Sequence, residues 1–240
     1  MNSHSYFILT PITRILDEAV AAVAGIGNGI ETYPLCDYIM QTVFLKMTGS
    51  QEQKMKCIRW ELATNDYEYR RKLLTNDDKI GECSAYSDKN KIYCQLLRQI
   101  HNDHPTFDVV RNIDRQTILR ETMEFIKQRL IDTNLHGWAQ KSFREFIDNR
   151  TLIQFRHFAN NENNLFENVL QEKYQLLYNH RNRCAHNTQS YQQNLPTLKT
   201  LSDENYRYDN YFVKFSLLIL IDKIFISLYR EYQKVLEIKI

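Results

Sequence analysis

A chain that has to reverse direction often needs residues that turn easily, and this one has few of them. Six glycines and four prolines are spread over 240 residues. An all-β fold needs many tight turns and would be starved of them, so the sequence favours long helices. With 43% apolar residues the chain is globular, and its length supports one sizeable core. A single all-helical unit over 1–240 is therefore expected.

Charge and hydropathy narrow the function classes. Thirty-one Lys and Arg face 29 Asp and Glu, so no overall basic field marks a non-specific nucleic-acid coat, and a nucleic-acid ligand has to be gripped locally. The most apolar stretch, Phe215 to Phe225, is too short for a bilayer and is interrupted by Asp222 and Lys223, so it reads as a core helix. The N-terminal MNSHSYFILTPITR has no basic leader followed by an apolar run and a cleavage site, which points to the cytoplasm. The five cysteines are scattered and never spaced Cys-x-x-Cys, so they read as reduced thiols, with no metal site and no cofactor expected.

Along the chain, Ile12, Ile15, Leu16, Ala19, Val20 and Val23 recur at helical spacing until Gly25 to Gly29 end the run. Those glycines follow a helix and precede no Gly-Lys-Ser/Thr, so they read as a turn and not as a phosphate loop. Leu35 to Met47 predicts a second helix, and Ser50 with Gln53 is a capping-box start for a third, to about Arg71. The polar stretch Leu74 to Asn90 reads as a surface loop or boundary, and HNDHP around Pro105 as a second break. Asp114 caps a helix carrying Ile118, Leu119, Met123, Phe125, Ile126 and Leu130, with a further helix over Trp138 to Phe146. Asn164 with Glu167 opens another, whose apolar face is Leu165, Phe166, Val169, Leu170, Tyr174, Leu177 and Tyr178. A polar link from Asn187 to Ser202 leads to a last aromatic helix over about Glu204 to Glu237.

The helix from Asn164 runs into His180-Arg181-Asn182-Arg183-Cys184-Ala185-His186. If it stays helical, Asn182 and His186 share a face and Arg181 sits one position round. A guanidinium can hold phosphate oxygens as charge builds, and an imidazole titrating near neutrality can move protons at a 2′-hydroxyl or a leaving oxygen. An amide can fix the tautomer or hold the phosphate. These groups suffice to cleave RNA without a metal. Arg150 and His157 are similarly spaced, but no Asn follows Arg150. The bland reading of the motif is a basic last turn complementing the helix dipole.

The string Arg181, Asn182, four residues on His186, with Ala185 before the His and an apolar helix leading in, resembles the HEPN superfamily. That family carries Arg, four to six residues, then His, most often with Asn, Asp or His straight after the Arg. The resemblance covers roughly 111–238, leaving 1–105 as an N-terminal helical extension. It implies an up-and-down helical bundle of HEPN type with additional N-terminal helices. It further implies a homodimer with a composite site, and metal-independent cleavage of RNA to 2′,3′-cyclic phosphate and 5′-hydroxyl ends. Such proteins work in toxin–antitoxin and antiphage defence, so an antitoxin or sensor partner is implied too. Where toxins partnered with minimal nucleotidyltransferases have Tyr two residues after the His, this chain has Thr188. In this reading Arg181, Asn182 and His186 are catalytic, and His180 and Arg183 are auxiliary substrate contacts. The rival readings are a non-catalytic HEPN module and a helical adaptor whose aromatic last helix binds protein.

Overall fold

The computed structural model describes residues 3–27, 29–75, 81, 83–148, 152–159, 163–186 and 210–238. All regular structure among them is helical, apart from one isolated β-bridge between Phe158 and Phe166. In chain order the helices are α1 (Ser3–Leu9), α2 (Thr13–Val23), α3 (Tyr33–Asn65), α4 (Tyr67–Thr75), α5 (Tyr86–Asp103) and α6 (Val109–Asn112). They continue with α7 (Arg115–Leu130), α8 (Asn134–Trp138), α9 (Gln140–Asp148), α10 (Asn168–His186) and α11 (Tyr211–Ile238). None is long and apolar enough to cross a membrane.

The bundle is built round α11. Its residues are buried on every side from Phe212 to Ile221, and α7, α3, α5, α9 and α1 pack against it. Asn210 starts it, accepting from the Phe212 amide (2.9 Å) through Oδ1. The rival reading, in which this aromatic helix offers its face to a protein, loses Phe212 and Phe215 to the core. Phe212 and Phe215 are wholly enclosed by the chain's own helices, and Tyr206 and Tyr208 lie outside the described residues. One continuous buried cluster takes in Met40, Phe44, Met55 and Ile92 from the first hundred residues together with Ile126, Leu170 and Leu218 from the remainder.

The two predicted helices over Leu35–Met47 and from Ser50 are one, α3, spanning 33 residues and about 50 Å. Ser50 caps nothing. Gly49 keeps helical geometry, and the buried positions Phe44, Met47, Gln51, Met55, Ile58 and Leu62 pass straight through it. A Cβ at Gly49 would meet nothing within 4 Å. Gly49→Ala is therefore expected to raise unfolding free energy by about 0.5–1 kcal/mol, the usual helix-interior difference, as read from urea denaturation. The helix ends at Asp66, whose backbone is extended and whose carboxylate accepts from the Tyr69 amide (3.0 Å) to begin α4.

The polar stretch read as a boundary is in part α5, which starts at Tyr86 and packs on α3, α10 and α11. The N-terminal α1, with Ile8 in the core, also went unforeseen. Asp114 does cap α7, accepting from the Thr117 amide at 2.9 Å. The turn at HNDHP closes α5 at His104, and His101 donates from Nε2 to the Phe107 carbonyl oxygen (2.9 Å) as a packed turn residue.

Candidate functional site

The segment that delivers α10 is fixed before the helix begins. Asn90 on α5 accepts from the Leu165 amide (2.8 Å), the Tyr86 hydroxyl oxygen accepts from the Phe166 amide (2.9 Å), and Phe166 bridges to Phe158. Asn164 is therefore no cap: its side chain engages Asn90, and α10 starts at Asn168. Leu165, Phe166, Leu170, Tyr174 and Leu177 bury the predicted face, whereas Val169 stays 45% exposed. Inside, the Tyr174 hydroxyl donates to the Ser84 carbonyl (2.8 Å), and Lys89 lies over the Tyr174 ring while donating to the Cys83 carbonyl (2.7 Å). Burial pushes the Lys89 ammonium down to about 8, against the opposing pull of Glu52 and Asp88, while Arg181 lowers it further.

The helix stays regular through His186, so the register on which the motif depends is present. Arg181 and Asn182 sit side by side, and the guanidinium donates to the Asn182 amide oxygen at 3.1 Å. Its other nitrogen approaches the Glu52 carboxylate at 3.4 Å. Glu52 also accepts from Lys56, one turn further along α3, at 2.8 Å. The Arg181 side chain remains 21% exposed, so one acidic partner holds it without sealing it from solvent. The His186 side chain lies outside the described residues.

Of the two auxiliary residues, Arg183 is exposed and His180 turns inward. The His180 ring packs on Phe44 and Tyr211, at centroid distances of 5.2 and 5.4 Å. A guanidinium only donates, so Nδ1 accepts from Arg183 (3.4 Å), which assigns the ring hydrogen to Nε2, facing the Tyr211 oxygen at 3.1 Å. Cys184 lies 3.5 Å from the same nitrogen, a packed thiol. His180 meets Phe44 and its neighbour Arg181 meets Glu52, eight residues apart on α3, so α10 crosses α3 steeply. That crossing holds the motif over the middle of the long helix.

No family model matches this chain, and no curated protein or solved structure matches it. The site is therefore read from its own geometry. Glu52 and Lys56 were missed in the sequence because an acid and a base four apart on a helix are the commonest of surface pairs. The rival pair fares differently. Arg150 lies outside the described residues, while His157 is buried and its Nδ1 accepts from the Gln154 amide (3.1 Å). Among the described residues, no group of three His, Cys, Asp or Glu is arranged to hold a metal.

Proposed function

We propose that this chain is a metal-independent endoribonuclease of the HEPN type, working as a toxin or antiphage effector. The observation that carries the reading is Arg181 with Asn182 on a regular helix, steadied by Glu52 and still open to solvent, with His186 one turn further on. Arg181 would hold the non-bridging oxygens of the scissile phosphate, and Asn182 would keep the guanidinium in its plane. His186 would take the proton from the 2′-hydroxyl or return one to the 5′ oxygen. The bond from phosphorus to the 5′ oxygen breaks as the 2′ oxygen attacks, leaving a 2′,3′-cyclic phosphate and a 5′-hydroxyl.

Helical geometry sets position 186 about 140° round the axis and about 7.5 Å along it from position 181. A phosphate seated on Arg181 is therefore better served by an imidazole from a second copy related by a two-fold axis. The exposed Val169 and Leu176, seven apart on the outer face of α10, supply apolar surface for that pairing. Incubation with total RNA in chelator tests the reading. Cyclic-phosphate and 5′-hydroxyl ends support it; intact RNA, or cleavage that stops without added metal, overturns it.

Glu52 acts here as a positioning residue. Glu52→Gln keeps the shape and loses the charge, and a hydrogen bond to a charged group contributes about 1.5–3 kcal/mol, so single-turnover cleavage is expected to slow about tenfold or more. The loss should fall on kcat and not on KM. A lowered KM with unchanged kcat would mean instead that Glu52 competes with the phosphate.

A further inference from the structure

The geometry points to a base-stacking subsite at Trp60, on the track by which a single-stranded polynucleotide leaves the phosphate site at Arg181. This deepens the ribonuclease reading and rests on it. Glu52, Lys56 and Trp60 follow one another at four-residue steps on α3, each turned about 40° further from the α10 crossing towards solvent. The first holds Arg181, the second bonds to the first at 2.8 Å, and the third presents an indole that is 55% exposed. So large an apolar ring is seldom left in water on a helix that has buried positions to offer.

The ring is also braced. His4 on α1 meets it edge-on, with centroids 6.4 Å apart and planes at 84°, and His4 is in turn held by the Glu61 carboxylate at 3.1 Å. A T-shaped contact covers at most one face of the indole and leaves the other to receive a second flat ring. Between Glu52 and Trp60, α3 turns Gln53 and Lys56 outward, while Gly49 lies on the far side of Glu52. Charge selects the occupant. Lys56 and Arg181 border this surface with the Glu52 carboxylate buried between them, and the neighbouring Glu61 carboxylate is engaged by His4. A polyanion with flat bases fits a cationic strip ending in an exposed indole, the arrangement by which proteins hold single strands. Glu52 and Trp60 are about 12 Å apart along the axis, a reach of a few nucleotides.

The chain has two tryptophans, Trp60 and Trp138, so full-length Trp138→Phe protein reports on Trp60 alone. Titration with a 2′-O-methyl dodecanucleotide, which cannot be cleaved, is expected to quench its fluorescence saturably. Trp60→Ala should weaken binding of the same probe about tenfold to a hundredfold, following the usual worth of one stacked base, and Trp60→Phe should recover most of it. Cleavage of a dinucleotide too short to reach Trp60 should be equal in wild type and Trp60→Ala. If Trp60→Ala binds and cuts long RNA as wild type does, the subsite is overturned and the ribonuclease reading stands. If the probe binds and quenches but no RNA is cut, the ribonuclease reading fails and the subsite stands as a binding site. An indole that no oligonucleotide quenches overturns the subsite and leaves the patch to a protein contact.

Discussion

His186→Ala protein should unfold at the same urea concentration as its parent and cut RNA at least about a hundredfold more slowly, the usual share of a positioned acid or base. The two halves of that expectation have separate grounds. Position 186 is the last residue of α10, and that helix enters the core through Leu170, Tyr174 and Leu177, which the substitution leaves in place. The chemistry has no ready substitute. His180 sits on Phe44 and Tyr211 with both ring nitrogens facing side chains of its own chain, and His157 is buried in a turn. The same expectation tests assembly. Because positions 181 and 186 point about 140° apart on one helix, inactive Arg181→Ala and inactive His186→Ala subunits should regain partial activity when mixed, through one intact composite centre. Full-rate cutting by folded His186→Ala protein would remove this histidine from the chemistry. Failure of mixed subunits to recover, with heterodimers shown by mass, would return both groups to one chain.

What could be read from the sequence was local in origin. Asp114 announced α7 because a cap acts three residues away, and the α10 face was visible because Leu170, Tyr174 and Leu177 recur at one period. Local signals also misled. Ser50 with Gln53 has the form of a capping box, yet the stripe of Phe44, Met47, Gln51 and Met55 holds the helix straight through. Asn164 and Glu167 have the same form, but Asn90, more than seventy residues away in sequence, draws that segment into an irregular connection. The aromatic last helix left room for a protein-binding reading, because the sequence does not reveal that α3 and α5 close over it. Glu52 is the clearest case, lying 129 residues from the arginine it steadies. No spacing rule reaches that far, so one half of the candidate site could be read from the sequence and the other half appears only in the fold.

Asp222, which interrupts the most apolar stretch of the chain, is expected to be its most sensitive position for stability. It is buried inside α11 and takes a hydrogen bond from Lys54 at 2.6 Å, with both side chains almost fully enclosed. Its second oxygen accepts from the Ile12 amide (2.9 Å), and Lys54 also donates to the Thr10 carbonyl. This pair therefore ties the central helix, the long α3 and the α1–α2 junction at one point. Burial pushes the Asp222 carboxyl up and the Lys54 ammonium down, each opposed by the charge of the other. A raised carboxyl pKa means that the folded state takes up this proton at higher pH than the unfolded chain does, so ionising Asp222 works against folding as pH rises through that range. The pair is thus no reserve of stability in itself. Its value lies in mutual neutralisation, and removing one member exposes the cost of the other. Asp222→Ala leaves an enclosed ammonium and an amide without its acceptor, and should lower unfolding free energy by about 3–5 kcal/mol. Lys54→Met combined with Asp222→Leu removes both charges and should recover much of that loss, falling short because the Ile12 amide stays unsatisfied. Urea denaturation at pH 7 measures both variants, and a cost below about 1 kcal/mol for Asp222→Ala would mean that water reaches this pair.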